Sequence, residues 1–326
     1  MNILFIIGNG FDINLGMKTR YCDFYEYYKS IHSDDDAINK LKDTISSDYK
    51  NWSDLELALG KYTENIETLQ QFDNIFDDID EKLSEYLYKE ELKIDYNKFD
   101  VDKLNKYLSA PESCLAQADI NIIREYKNSW KNNNWIVNVI TFNYTKTLEK
   151  IREDNQTMIG GHNKVHAINF KNIYHIHGYV DDRMVMGVND ISQISNSNFH
   201  SNIDVLDALV KIECNKANKH TIDDQCNKQI LSSELICIFG SSLGDTDNYW
   251  WEQIGEQLKK GIKLIIYTRG EEVNPRASYK KARIEREIKK LFLGKTKLSQ
   301  DEVVKFEKNV YVGVNTDMFN LNNINP

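Results

Sequence analysis

Four short, almost continuously apolar runs interrupt the polar chain, at residues 3–7, 135–140, 235–239 and 263–267. Each run is rich in isoleucine or valine and is followed by a glycine or a threonine. Such runs are typical of strands that are buried on both faces of a parallel sheet. Stretches with helix-like patterns separate them. The pattern therefore predicts an α/β fold with a doubly wound, mostly parallel sheet.

Weaker patterns predict further strands and helices in the second half of the chain. Each is shorter or less apolar than the four runs above. In chain order they are a helix from Thr145, strands at 172–176 and 183–187, helices at 248–260 and 279–293, and an edge strand at 310–314.

More than a hundred residues separate the first two strands, where a simple strand–helix–strand unit needs about thirty. Within this gap apolar residues recur at helical spacing, as in Leu55, Leu59 and Tyr62. We therefore expect residues 18–132 to form a helical insertion packed on the sheet. The predicted domains are an α/β core of residues 1–17 and 133–326, the insertion at 18–132, and a second helical segment at 191–234 within the core.

The composition restricts the classes of partner and compartment. The 326 residues include 41 Lys and Arg against 50 Asp and Glu, a net charge of −9, which is not the basic footprint of a nucleic-acid-binding protein. The five cysteines are odd in number and none has Cys-x-x-Cys spacing, so we expect reduced thiols and no zinc site. No segment approaches the length of a membrane span, and no basic leader precedes the first run. We expect a cytoplasmic protein without a membrane or nucleic-acid partner.

The first apolar run stops at the turn Gly8-Asn9-Gly10, which Phe11 and Asp12 follow. A glycine turn after a central strand is where open α/β sheets bind nucleotides, because the backbone there comes close to a pyrophosphate. The spacing of the glycines differs from the usual dinucleotide fingerprint. An ordinary tight turn is the alternative for the glycines, and a helix cap is the alternative for Asp12.

The second run leads into Thr141, Asn143 and Thr145, three polar residues at alternate positions. In extended backbone these side chains share a face. Asparagine donates and accepts hydrogen bonds without changing its charge, which suits the holding of a water molecule or a sugar hydroxyl. Asn143 or Thr145 could instead cap the helix that follows.

Two histidines occur in the segment His175-Ile176-His177-Gly178. Both would point the same way from a strand, and Gly178 would let a ligand approach the backbone. Histidine is suited to general base catalysis near neutral pH. A buried histidine bonded to a backbone carbonyl is the alternative for either one alone, and we expect one of the two to be functional.

The third run ends on a second glycine turn that is rich in hydroxyl groups. Gly240 is followed by Ser241 and Ser242, and then by Asp245 and Asp247. The serines can hydrogen-bond a phosphate or a ribose. The two aspartates can hold a ribose, cap the next helix or simply solvate the loop.

These four blocks, taken in order, resemble the NAD-binding segments of sirtuin-like domains, which carry Gly-Ala-Gly, Thr-x-Asn, His-Gly and Gly-Thr-Ser-Leu. The chain is more similar to the AbiH-type abortive-infection proteins of bacteria. The resemblance touches about residues 1–28, 139–190 and 235–270. It is carried by Ile-Gly-Asn-Gly-Phe-Asp at 7–12, Phe-Asn-Tyr-Thr at 142–145, His-Gly at 177–178 and Ser-Leu-Gly-x-x-Asp at 242–247.

The resemblance implies a Rossmann-like, sirtuin-like core that binds NAD, with Asn143 and His177 acting at the nicotinamide riboside end. The chain departs from the sirtuin pattern at Thr145, where sirtuins carry an aspartate, and it has no module of two Cys-x-x-Cys pairs. The resemblance therefore implies NAD hydrolysis rather than zinc-dependent deacetylation. The residues expected to contact the dinucleotide are Gly8, Asn9, Gly10, Phe11, Thr141, Tyr144, Gly178, Gly240, Ser241, Ser242 and Asp245.

We accordingly predict cleavage of the N-glycosidic bond between nicotinamide and ribose. Nicotinamide leaves from a ring that is already positively charged, so no strong acid is needed. Asn143 would position the water or the ribose hydroxyls, and His177 would accept a proton. Asp12 would stabilise the positive charge that develops on the ribose.

Two other functions are compatible with the sequence. The chain could be a non-catalytic nucleotide sensor whose helical insertion engages a partner. A phage-derived trigger, a partner protein and a homo-oligomer are all compatible with the resemblance. A metal-dependent nuclease would instead use a cluster within residues 162–182, namely His162, His166, His175 and His177 with Asp181 or Asp182.

Overall fold

Seven strands form one sheet in the computed structural model, which describes residues 1–322 except 154, 155, 164, 271, 273, 275 and 276. The strands lie in the order β3-β4-β2-β1-β5-β6-β7. β3 is antiparallel to β4, and all other neighbours are parallel. The predicted α/β fold with a mostly parallel sheet is confirmed. The strands are β1 (Asn2–Ile7), β2 (Trp135–Thr141), β3 (Met158–Gly161), β4 (Ala167–His175), β5 (Leu235–Phe239), β6 (Lys263–Thr268) and β7 (Val310–Val314).

The central strand is β1, which lies between β2 and β5. Its last residue, Ile7, pairs with Thr141 of β2 and with Phe239 of β5. The loops that follow these three strands therefore leave the sheet at the same edge. Counted in chain order, the six parallel strands have the order 3-2-1-4-5-6 across the sheet, so the order reverses direction between β1 and β5.

Fourteen α-helices occur in the described part of the chain. The longest, α5, has 24 residues, and none of the described helices combines the length and the apolar composition that crossing a membrane requires. The helices are α1 (Gly10–Asn14), α2 (Tyr21–Tyr28), α3 (Asp36–Ser47), α4 (Leu55–Tyr62), α5 (Leu69–Leu92), α6 (Val101–Ser109), α7 (Gln117–Lys127), α8 (Thr147–Ile151), α9 (Ile203–Leu209), α10 (Lys211–Ala217), α11 (Ile222–Ser232), α12 (Asn248–Lys259), α13 (Ser278–Gly294) and α14 (Gln300–Phe306).

Both faces of the sheet are covered by helices. In β1, Ile3, Phe5 and Ile7 point to one face, and Leu4 and Ile6 point to the other, and all five are buried. Helices α6, α7 and α8 pack on the first face, and α11, α12 and α13 pack on the second. Burial on both faces is the reason why β1 is apolar at every position from Ile3 to Ile7.

Residues 18–132 contain six helices, α2 to α7, as predicted for this segment. Asp35, Asp54 and Thr68 cap α3, α4 and α5, because each side chain accepts a hydrogen bond from a backbone N–H of the first turn. Helices α2 to α5 share an apolar core with α9 and with Tyr144, apart from the two sheet cores. We call helices α2 to α5 the helical layer. The shared core places this layer against the loop that follows β2.

The predicted strand at 183–187 is wrong. The chain turns sharply after β4, where Gly178 has a φ of +66° and Arg183 a φ of +36°. The buried run that follows packs as a loop on α9, and its neighbour Val188 donates its backbone N–H to the Leu209 carbonyl at 2.7 Å. An apolar run therefore marks burial here, and not a strand.

Smaller differences concern the length and number of elements. β4 begins at Ala167, ahead of the predicted start at residue 172, and ends at His175. β3 and α14 were not predicted, because neither sequence has a clear apolar period. The edge strand at Val310–Val314 is confirmed.

Candidate functional site

A cavity of about 740 Å³ lies at the carboxyl ends of the parallel strands, where the strand order reverses. The loops after all six parallel strands contribute to it. The helical layer closes its other side with residues of α2, of α4 and of the loop before α4. The strand-end residues that line it include Gly8–Gly10 after β1, Phe142–Thr145 after β2, His177 after β4, Gly240–Ser242 after β5 and Arg269 after β6.

Two glycine turns, at Gly8–Gly10 and at Gly240, pack directly on each other in the wall of this cavity. Gly10 donates its N–H to the Gly240 carbonyl at 2.8 Å, and Gly8 donates to the Phe239 carbonyl at 2.9 Å. A Cβ atom on Gly10 would lie 2.5 Å from the Gly240 Cα atom. The glycines are therefore required for close contact between the two turns, and Gly240 also has a φ of +70°.

Asn9, between the two glycines, ties the first turn to the helical layer. Its side-chain amide donates to the Thr19 carbonyl at 2.7 Å, and the Thr19 hydroxyl donates to its Oδ1 at 2.5 Å. Both hydrogen bonds hold the chain where it enters the helices, so the amide of Asn9 has a structural role in this structure.

Asp12 is buried in α1 and faces the loop after β2. Its Oδ2 accepts a hydrogen bond from the Thr145 hydroxyl at 2.6 Å, whereas its Oδ1 is buried without a hydrogen-bond partner among the described residues. Burial raises the pKa of this carboxyl to about 6, although the side chains of Thr145, Thr147 and Asn143 partly offset the effect. Asp12 is not the N-terminal cap of α1, since the cap is Asn9.

Asn143 lies in the turn after β2, and its backbone N–H donates to the Thr141 hydroxyl at 3.1 Å. The Oδ1 atom of its side chain is buried and has no partner within the described chain. Neither Asn143 nor Thr145 caps α8, because that helix begins at Thr147 after Lys146. The side chain of Asn143 is thus directed at the cavity without a structural bond to its Oδ1.

His177 lies in the turn after β4, with its ring beside Phe142 at a centroid distance of 5.3 Å. Its Nε2 atom lies 3.0 Å from Asp247 Oδ1, and its Nδ1 atom is buried with no described partner. Asp12, Asn143 and His177 form what we call the polar cluster. Their side chains belong to residues that are 1%, 6% and 3% exposed, all three line the cavity, and each has one buried polar atom without a partner.

A chain of buried charges stands behind His177. Lys211 donates to Asp247 Oδ1 at 2.9 Å and to Glu56 Oε2 at 2.9 Å. Burial alone would raise the pKa of Asp247, but Lys211 and His177 hold it well below its usual range. Burial alone would lower the pKa of Lys211, but Asp247 and Glu56 raise it above its usual value. Asp247 and Lys211 are therefore ionised together near neutral pH.

Four predicted contact residues do not line the cavity. The Phe11 ring packs in the core, 5.4 Å from the Phe319 ring between centroids. The Thr141 hydroxyl supports the Asn143 backbone. A Cβ on Gly178 would collide with the Arg183 carbonyl, so its glycine serves the turn. Asp245 points away and pairs with Lys295.

The histidines proposed as a metal cluster are separated by the length of β4. His162 and His166 lie before the start of β4 and stack on each other, and His162 also stacks on Trp135. His175 and His177 follow at its other end, about 25 Å away for a nine-residue strand. No group of three potential metal ligands occurs among the described residues. The geometry of the described residues therefore does not support the alternative of a metal centre built from this cluster, because sequence proximity along a strand does not bring side chains together.

Several residues that line the cavity were not predicted. Glu56 and Lys211 come from helices α4 and α10, and Arg20, Tyr21 and Trp52 come from the helical layer or the loops beside it. One sequence signal was available for Glu56, which is an acidic residue among the buried apolar positions of α4. Lys211 had no such signal, because it lies in a polar stretch.

The family model for bacteriophage abortive infection AbiH matches residues 4–268. The chain belongs to the AbiH family. The matched range includes the polar cluster of this AbiH protein, both glycine turns and the charges behind His177. No curated protein matches the chain. Membership assigns this AbiH protein to bacteriophage abortive infection.

Proposed function

We propose that this AbiH-family protein binds NAD in the cavity and hydrolyses the bond between nicotinamide and ribose. The observation that carries the proposal is the polar cluster. Each of its three unpartnered atoms, Asp12 Oδ1, Asn143 Oδ1 and His177 Nδ1, is buried. A buried polar atom without a partner costs about 1–3 kcal/mol, and a catalytic or ligand-binding role is one explanation for such an atom in a native structure. All three are acceptors if His177 is neutral with its proton on Nε2, so a ligand rich in hydroxyl groups satisfies them.

The position and size of the cavity support a dinucleotide ligand. The strand order 3-2-1-4-5-6 is that of classic dinucleotide-binding sheets, in which the ligand lies where the order reverses. The volume of about 740 Å³ falls within the usual range for small-molecule sites.

Charged and aromatic groups around the cavity suit the remaining parts of NAD. Arg20 and Arg269 are exposed residues that line it, and guanidinium groups bind diphosphates well. Tyr21, Tyr25 and Trp52 supply aromatic surface on the side of the helical layer. In this proposal the arginines bind the diphosphate and the aromatic side chains contact the bases, so the glycine turns do not need to approach the ligand.

The proposed reaction uses water and the polar cluster. Water attacks the ribose C1′ atom, the bond from C1′ to the nicotinamide nitrogen breaks, and its electron pair neutralises the ring. Asn143 holds the water or a ribose hydroxyl, and His177 accepts the proton that is released and passes it to solvent. The carboxylate of Asp12 stabilises the positive charge on the ribose in the transition state. The products are nicotinamide, ADP-ribose and a proton.

The direct test is to incubate the purified full chain with NAD and to measure both binding and free nicotinamide. The comparison is Asn143→Ala against Asn138→Ala, because Asn138 is an equally buried asparagine of β2 that does not line the cavity. We expect nicotinamide release by the wild type and by Asn138→Ala, and its loss in Asn143→Ala. The assay is repeated with lysate from phage-infected cells, because we propose that a phage product triggers the activity.

Two outcomes would contradict the proposal in different ways. NAD that binds in the cavity but is never cleaved, with or without the phage lysate, would identify a nucleotide sensor. NAD that does not bind would exclude the proposed ligand altogether.

A further inference from the structure

We infer that Asp247 is a positioning residue that holds His177 with its proton on Nε2, so that Nδ1 is the atom that accepts the proton. The inference rests on the proposed function only for the source of that proton. Its structural part, the assignment of the two ring nitrogens, is independent of the ligand.

The contacts of Asp247 leave one assignment for His177. Asp247 Oδ1 accepts a hydrogen bond from Lys211 Nζ at 2.9 Å and lies 3.0 Å from His177 Nε2. An ionised carboxylate is an acceptor only, and Lys211 together with His177 keeps this carboxyl ionised by lowering its pKa. Nε2 must therefore donate, which leaves the lone pair of the neutral ring on Nδ1.

The carboxylate is itself held in place from several sides. Lys211, its ion-pair partner, is 5% exposed and also bonds Glu56. Glu56 in turn accepts the Thr246 hydroxyl at 3.1 Å and the Tyr144 hydroxyl at 2.8 Å. Residues of two helices and of the loops after β2 and β5 thus fix the position of Asp247, and through it the plane of the His177 ring.

The Nδ1 atom has what a proton acceptor needs. It is buried, it has no hydrogen-bond partner in the described chain, and its residue lines the cavity. A hydroxyl donor that enters the cavity can bond to it without displacing a protein group. The ribose hydroxyls of NAD, or the attacking water, are donors of this kind.

The chain offers a matched control in a second pair of histidine and carboxylate. His175 lies two positions before His177 in the sequence, and its Nε2 atom is 2.5 Å from Glu149 Oε1. Neither His175 nor Glu149 lines the cavity. Glu149→Gln changes a carboxylate beside a histidine that meets the polar cluster only at a backbone atom, with its Nδ1 3.4 Å from the Asn143 carbonyl oxygen.

Nitrogen NMR on the full chain, with histidine labelled by ¹⁵N at about pH 8, where a free imidazole is neutral, tests the assignment without a ligand. For wild-type His177 we expect a protonated Nε2 with a strongly downfield proton and an unprotonated Nδ1. Asp247→Ala should abolish that proton signal, and Glu149→Gln should leave it unchanged while altering the His175 signals. A protonated Nδ1 in the wild type would overturn the inference, and this outcome needs no variant to fold.

Measurements of kcat and KM distinguish a positioning role of Asp247 from a purely structural one. Asp247→Ala should lower kcat for NAD by about a hundredfold or more with little change in KM, because binding groups stay in place. Asp247→Asn should restore both the Nε2 proton signal and part of kcat, since Lys211 keeps the amide oxygen facing His177. Equal loss in Asp247→Asn and Asp247→Ala, with the proton signal retained in both, would contradict the role. If wild type cleaves no NAD, the proposed function fails while the NMR result still decides the inference.

Discussion

The two glycine turns and the polar cluster lie in the same cavity wall, but they are built in opposite ways. The turns meet backbone to backbone, with Gly10 and Gly240 within 2.8 Å through a hydrogen bond, and a Cβ has no space between them. In the polar cluster, Asp12, Asn143 and His177 each retain an unpartnered buried atom. The fold uses the glycines to bring two strand ends together, and the cluster keeps polar atoms that the fold itself does not use.

This difference changes how the glycine motif is interpreted. A glycine turn after a central strand suggests close approach of a ligand, and here the close approach is to another turn. Substitutions in the turns should therefore affect folding, whereas substitutions in the cluster should affect chemistry. The following four variants test that separation, from the largest expected effect to the smallest.

Gly10→Val should cost at least about 3 kcal/mol of unfolding free energy, because its Cβ would lie 2.5 Å from the Gly240 Cα atom and backbone cannot give way cheaply. Thermal unfolding measures the loss. Gly294→Ala is the control, since a Cβ there meets nothing within 4 Å, and it should be neutral or slightly stabilising. A Gly10→Val protein with wild-type stability that loses only NAD binding would restore the ligand interpretation of the turn.

His177→Ala should lower NAD turnover by about 10²–10⁴-fold, the usual range for loss of a general base. Its fold should persist, because His177 is outside the apolar cores of the sheet. The matched control is His175→Ala, which removes a histidine outside the cavity. This variant should keep most of the turnover, because His175 meets the polar cluster only through its Nδ1, 3.4 Å from the Asn143 backbone carbonyl. Rates are compared with circular dichroism on the same samples. A similar loss of turnover in both variants would contradict a specific catalytic role of His177.

Asp12→Asn should stabilise the protein by about 3 kcal/mol at pH 7, since burial raises the Asp12 pKa from 3.8 to about 6 and one pKa unit corresponds to about 1.4 kcal/mol. The folded state then holds a proton that the unfolded state releases, so wild-type stability falls as the pH rises from about 4 to 6. Denaturant unfolding across this range should show the advantage of Asp12→Asn vanish below about pH 4. If the unfolding free energies of wild type and Asp12→Asn changed in parallel with pH, the raised pKa of Asp12 would be contradicted. Turnover should fall in the same variant, because the charge is lost.

Arg269→Ala should raise KM for NAD by about fivefold or less with kcat unchanged, as expected for an exposed charge at the cavity that hydrogen-bonds the Asn14 side chain within the protein. Added salt should narrow the difference from wild type, because it screens the charge. Arg124→Ala is the control, since Arg124 pairs with Glu112 away from the cavity. A fall in kcat instead would place Arg269 nearer the reacting atoms than the cavity mouth.

The sheet was predictable because each central strand is buried on both faces. The runs at 3–7, 135–140, 235–239 and 263–267 could avoid water only in a covered sheet, and all four are strands there. The helices of residues 18–132 were predictable from periodicity for the same reason. The run at 183–187 failed because burial in a loop needs the same apolar residues as burial in a strand.

In the site, too, some features were predictable from local sequence and others were not. The order of glycine, asparagine and histidine blocks along the sequence located the strand ends around the cavity, because local motifs follow local backbone geometry. Glu56, Lys211 and Asp247 became neighbours only through packing of two helices and a loop, and no local pattern records contacts between residues that are 155 and 36 positions apart. The sequence thus determined the four central strands of the sheet and which blocks meet at its carboxyl edge. Tertiary structure alone decided that the glycines face each other and that the Asp247 carboxylate sets the histidine ring, because both depend on distances between segments that are remote along the chain.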